Sequence, residues 1–273
     1  MSVRGGELIA SSIRAARERD GLALVPYVTA GFPEKAALRR QIESLDGAGA
    51  AVIEVGVPFT DPMADGVTIQ RSSRAALAQG VTLEWILSEL AAVHAGGAVR
   101  APRVIMSYLN PLLNVMRRGL GAACAGAGVS ACIIPDLPIE EAEPIRAELH
   151  AHGVGLVQLV SPVTPAARAD RLAKASDGFV YAVMHTGVTG GGGAGGAARS
   201  SGAGGPAAGA GAYLAMIRSA SATPVCAGFG LRRAEQVAAL RGVCDGAIVG
   251  SALIEAVERG EDAGAFLRGL RAG

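Results

Sequence analysis

Eight short apolar runs, separated by longer stretches of helical periodicity, constrain this chain more than any other feature it carries. The runs cover residues 22–28, 51–55, 104–106, 131–134, 155–159, 179–183, 224–227 and 246–249. Between them, 34–45, 83–94, 138–152 and 165–175 place apolar side chains at three- and four-residue steps, the period of a helix with one buried face. Strands that are apolar along nearly their whole length have both faces buried, as parallel strands covered by helices do. Eight such units with no change of composition between halves predict an α/β fold, a single (β/α)8 TIM barrel. The alternative is an open flavodoxin- or Rossmann-like sheet of fewer strands. Ahead of the first run, MSVRGGELIASSIRAARERD alternates apolar and charged residues, which predicts an extra N-terminal amphipathic helix and not a targeting segment.

One domain is expected over 1–273, since barrels of this kind reach about 250 residues as a unit. A formal net charge of +1 and the lack of a basic block argue against nucleic acid as a partner, yet leave room for a single phosphate. The four cysteines, Cys124, Cys132, Cys226 and Cys244, have no metal-ligand spacing and read as reduced, buried small hydrophobes; no metal is expected. No apolar run approaches the ~18 residues of a membrane span, so a soluble, cytoplasmic protein is expected. Residues 190–211, GGGGAGGAARSSGAGGPAAGAG, are too poor in apolar side chains to order themselves and read as a flexible loop, an active-site lid or an insertion.

In a barrel the chemistry belongs to the loops after the strands, and the unusual residues cluster there. Glu54 stands at the end of the second strand in AVIEVGVP. Burial there would raise its pKa and suit it to proton transfer; pointing into water or pairing with an arginine is the other reading. The following loop, GVPFTDPMADGVTIQ, brings Asp61 and Asp65, stiffened by Pro58 and Pro62. Either aspartate could return across the mouth to Glu54 or serve as a turn residue, and for Asp61 a structural or interface role is the stronger reading. Gly230, Gly250 and Ser251, after the last two strands, suit a phosphate held by backbone N–H groups and a hydroxyl; ordinary turns also favour glycine. Of the histidines, His94, His150 and His152 lie near helix ends and read as surface residues, and His185 has no acidic or nucleophilic neighbour in sequence. There is no HExxH, no GxSxG, no Walker A and no GxGxxG set between a strand and a helix, and the GGGG run is not read as a nucleotide loop.

Taken in order, VPYVTAGFP, IEVGVPFTDPMADGVTIQ, IMSYLNPLL, IIPDLPIEE, YAVMHTGVTG and AGFGLRRAEQV resemble the alpha subunit of tryptophan synthase, over most of the chain from residue 22 to 251. The resemblance implies a lyase that splits indole-3-glycerol phosphate into indole and glyceraldehyde 3-phosphate. It gives Glu54 and Asp65 the catalytic places and sets Tyr108 and Tyr181 near the substrate. Tyr27, Met106 and Ile133 would line the indole pocket, and Gly190, Phe229, Gly230, Gly250 and Ser251 match phosphate-site segments, Phe229 also touching substrate. Thr189 belongs to the lid and would organise the carboxylates when it closes. No cofactor is implied for this chain; pyridoxal phosphate would sit in a partner beta subunit within an alpha2beta2 tetramer, met through Pro58, Asp61 and the loop carrying Asp136. The Gly-rich lid departs from the family's shorter, more polar one, so weak activity by the isolated chain is expected, because ordering glycines costs more entropy. A stand-alone indole-releasing lyase and a catalytically weak activating subunit are the alternatives.

Overall fold

The computed structural model describes residues 3–184, 207–228 and 230–271. Its sheet is a closed barrel of eight parallel strands joined in sequence order, as the alternating pattern predicts. The chain opens with helix α1, Arg4–Asp20, which ends at Gly21 in the left-handed region (φ +77°) before strand β1, Ala23–Thr29. Helix α2, Ala37–Gly47, leads to β2, Ile53–Gly56. Two helices follow, α3, Val67–Ala78, and α4, Leu83–Gly96, the second capped by the Thr82 hydroxyl accepting from Trp85 N–H. After β3, Arg103–Met106, come α5, Leu109–Met116, and α6, Leu120–Gly126, then β4, Val129–Ile133. The second half runs α7, Glu143–Ala151; β5, Gly155–Val160; α8, Ala166–Ala175; and β6, Val180–Val183. It closes with α9, Ala207–Ala220; β7, Val225–Gly228; α10, Ala234–Ala238; β8, Gly246–Val249; α11, Ser251–Glu258; and α12, Ala263–Arg271.

The core has two parts. Strand residues facing outward, such as Leu24, Val55, Ile105 and Val180, pack with helix residues such as Leu38, Leu90 and Leu253 in a continuous outer layer. Inward-facing residues, among them Val25, Val52, Val104, Ile133, Val157 and Phe179, fill the barrel, and Ile9, Ile13 and Ala16 of α1 join them. Helix α1 therefore closes the end at which the strands begin. A Cβ on Gly5 would stand 2.0 Å from the carbonyl oxygen of Ser130 at the start of β4, so glycine lets the helix seat. The other mouth, where the strands end, is left uncovered by α1.

Three details differ from the sequence reading. The string VTIQ opens α3 instead of ending a loop, and the last residues of the Gly/Ala-rich stretch, 207–211, belong to α9, where frequent alanine outweighs scattered glycine in a helix docked on the barrel. His150 is not a free surface residue, for its Nε2 lies 2.8 Å from Asp177 Oδ2. All four cysteines are buried and unbridged. Among the described residues no single helix is long and apolar enough to cross a membrane.

Candidate active site

Register brings the candidate side chains together. Parallel pairing sets Tyr27 of β1 against Glu54 of β2 and Gly56 against Met106 of β3, so inward positions near the strand ends converge on the mouth. The Tyr27 ring crosses to β2, where a Cβ on residue 56 would lie 2.0 Å from its hydroxyl oxygen. On its other side Gly250 leaves Tyr27 ordinary clearance; a Cβ there would meet Tyr27 Cβ at 3.7 Å.

Glu54 is fully buried, and neither carboxyl oxygen has a hydrogen-bond partner among the described residues. Of the readings open in the sequence, exposure to water and pairing with arginine are thus both set aside. Burial, and then the nearby Asp65 carboxylate, push its pKa from the usual carboxylate range to about 8. Asp65 is raised to about 6, chiefly by burial, with a hydrogen bond from the Tyr108 hydroxyl working in the opposite direction. At neutral pH the pair is therefore split, Glu54 protonated and Asp65 ionised, which is the arrangement an acid–base site needs. Burial, then Asp65, lifts the Tyr27 phenol above its ordinary value, and burial, then Glu54, does the same for Tyr181, so both stay neutral.

Asp65 owes its place to the segment around it. The Tyr108 hydroxyl accepts from Ala64 N–H at 2.8 Å, and the Phe59 ring packs on Tyr108 with centroids 5.3 Å apart. Gln70 Nε2 donates to the Asp65 carbonyl at 2.9 Å. The remaining wall comes from half-buried Met106 and from Ile133, which is wholly buried beneath the mouth in the barrel's inner core. Gly250 and Ser251 form the N-terminal edge of α11, whose first-turn N–H groups have no partner within the helix, as suits an anion. Gly230 is exposed with φ +62°, a conformation suited to glycine.

Asp61 and Asp136 are exposed, but Pro58 is buried within the chain. Asp136 Oδ1 accepts from Leu109 N–H at 2.8 Å and so also anchors the start of α5. His185, Thr189, Gly190 and Phe229 lie outside the described residues. Phe59, Gln70 and Thr68 escaped the sequence reading, although they flank Asp65 in the most distinctive string, and that proximity was the available signal. Among the described residues no cluster of three or more metal-binding side chains occurs.

With this geometry in hand, a family model described as tryptophan synthase alpha chain matches residues 13–267. The chain is 40% identical over 254 residues to the tryptophan synthase alpha chain of Chloroflexus aurantiacus, spanning 92% of this chain and 90% of that one. It is 42% identical over 242 residues to that of Carboxydothermus hydrogenoformans, spanning 89% and 86%. A solved tryptophan synthase from M. tuberculosis, in an open form with BRD0059 bound, superposes with a TM-score of 0.82 at 30% identity, over 97% of both chains. The tryptophan synthase subunit alpha of Legionella pneumophila gives 0.80 at 28% identity, over 99% of this chain and 97% of that one. A barrel plugged at one end, with two unequally protonated carboxyls at the other, thus meets its counterpart in sequence, and the chain belongs to the tryptophan synthase alpha chain family.

Proposed function

We propose that Glu54 and Asp65 carry the retro-aldol cleavage of indole-3-glycerol phosphate to indole and glyceraldehyde 3-phosphate, the alpha reaction of tryptophan biosynthesis. The observation that carries this reading is the Glu54 carboxyl, fully buried, without a hydrogen-bond partner among the described residues and raised to about 8, near enough to Asp65 to feel its charge. Protonated Glu54 delivers its proton to indole C3. The bond from C3 to the carbinol carbon then breaks, its electron pair returning to the ring, while the carbinol O–H gives its proton to the Glu54 carboxylate and becomes the aldehyde. Glu54 ends as it began, so no proton is gained or lost. Asp65 accepts from the indole N–H and stabilises the positive charge that the ring carries once C3 is protonated. Tyr27, Met106, Tyr108, Ile133 and Tyr181 shape the indole pocket. Gly230, Gly250 and Ser251 take the phosphate and fix the scissile bond between the two ends.

The chain's own steps call for no cofactor. Its partner in this reading is a tryptophan synthase beta subunit carrying pyridoxal phosphate, in an alpha2beta2 tetramer. Asp61 and Asp136 offer polar contacts at that face; the apolar side chain of Met63, 84% exposed, stands two residues past Asp61, and that of Leu113, 46% exposed, lies on α5, whose start Asp136 anchors. The test is indole release from indole-3-glycerol phosphate, with and without beta subunit, beside Glu54→Gln. Slow cleavage, stimulated by the partner and lost in Glu54→Gln, is expected. Full activity in the variant would overturn the assignment of Glu54, and fast cleavage unaffected by the partner would overturn the subunit role.

A further inference from the structure

A connection beyond the reacting groups joins the two ends of the site. Glu255 lies one helical turn beyond Ser251 on α11. Its Oε1 accepts from the Thr68 hydroxyl of α3 at 3.2 Å and from Arg232 Nη2 at 2.9 Å, while Arg232 Nη1 bonds Oε2. Arg232 stands on the loop after β7, two residues past Gly230. Thr68 is the second residue of α3, whose first turn holds Asp65 through Gln70. One carboxylate thus meets the segments after β2, β7 and β8. The Arg232 contact, followed by smaller contributions that include the Thr68 hydroxyl, holds Glu255 below the usual carboxylate range, so the link stays charged through the working pH range. Three residues further along each helix, Arg71 bonds Glu258 twice, at 2.9 and 2.6 Å, a second tie between α3 and α11 beside the Glu255 contact.

We propose that Glu255 is a positioning residue with two separable arms, one toward Arg232 that shapes the phosphate-binding loops and one toward Thr68 that sets Asp65 opposite Glu54. The proposal rests on the reading that phosphate seats on the loops after β7 and β8. Seating the anion there stiffens the loop bearing Arg232 and the start of α11, and Glu255 passes that constraint to the first turn of α3. A misplacement of Asp65 by a fraction of an ångström weakens its hold on the indole N–H without removing it, which is a loss in the transition state and not in binding.

The arms are tested by variants that cut one at a time. Thr68→Val keeps shape and leaves Arg232 paired; kcat is expected to fall about tenfold with KM within about twofold. Glu255→Gln keeps an acceptor for Thr68 but weakens the grip on Arg232. It is expected to raise KM, and the Kd of inorganic phosphate, about five- to tenfold, with kcat nearly unchanged. A readout free of turnover is the 13C resonance of the Asp65 carboxyl, which inorganic phosphate shifts in the wild type and leaves unmoved in Thr68→Val. If Thr68→Val keeps the wild-type kcat and the phosphate response, or both variants lose only thermal stability, the proposal is overturned. A wild-type chain that neither binds inorganic phosphate nor cleaves the substrate overturns the functional reading itself, a different result from wild-type activity with inert variants.

Discussion

Tyr27 occupies the space that a side chain on residue 56 would fill: a Cβ there would stand 2.0 Å from the Tyr27 hydroxyl oxygen and 2.4 Å from Cζ. The ring is buried, with its hydroxyl against the Gly56 backbone. Gly56→Ala is therefore expected to displace Tyr27 across the mouth, lowering kcat/KM at least about tenfold and stability by about 1–3 kcal/mol. Steady-state kinetics with thermal melts check this. Restoration by a second change, Tyr27→Leu, would trace the defect to this pair, and a fully active Gly56→Ala would show that the ring is not confined.

Glu54 makes stability depend on pH. Its pKa is raised from 4.5 to about 8 on folding, so the native state holds its proton more tightly than the unfolded chain. That preference is fully present below the unfolded value and is lost as pH rises through about 8, at a cost on the order of a few kcal/mol for a buried carboxyl. Glu54→Gln is expected to match the wild type near pH 4, to be more stable above pH 8, and to lose about 100-fold or more in activity. Denaturant titrations at several pH values give the difference. A constant gap between the two proteins across that range would contradict the buried, protonated state.

Tyr108 works in the opposite direction on Asp65, whose pKa of about 6 already includes the lowering by the tyrosine hydroxyl. Tyr108→Phe removes that donor and leaves Ala64 N–H without its acceptor. The acid limb of the kcat profile should move to higher pH, because Asp65 must be ionised to meet the indole N–H, with a drop in kcat at neutral pH. An unmoved acid limb would assign that limb to another group.

The closed end of the barrel should behave differently from the open one. Ile9 is fully buried, in contact with the Gly178 turn and packed with Phe179. Ile9→Ala is expected to cost about 2–4 kcal/mol of stability while the folded protein keeps its kcat. A proportionate loss of kcat under conditions where the variant is fully folded would mean that α1 influences the mouth.

Much of this arrangement is legible in one dimension. Alternation of apolar runs with helix-period segments depends on local spacing alone, which is why the eight strands and the N-terminal helix follow directly from the residues. Glu54 stands out for the same reason, being an ionisable group at the end of an otherwise apolar strand. Helix α3 was harder to see: VTIQ follows a Pro- and Asp-rich loop, and the contacts that tie it to α11, Thr68 to Glu255 and Arg71 to Glu258, join residues that no local pattern pairs. The surface placement of His150 failed likewise, because Asp177 comes from the turn before β6.

Sequence by itself determined the order of the eight strands, the strand ends at which the candidate residues sit and the residue types available there, since these follow from short-range periodicity and turn chemistry. Only the tertiary structure decided that Glu54 has no hydrogen-bond partner among the described residues and that Asp65 lies close enough to raise its pKa further. It also decided that α1 stops the far end and that Thr68 meets Glu255 across 187 residues of chain. Those outcomes depend on burial and on distances between segments far apart in the chain, and both come into being only when the barrel closes.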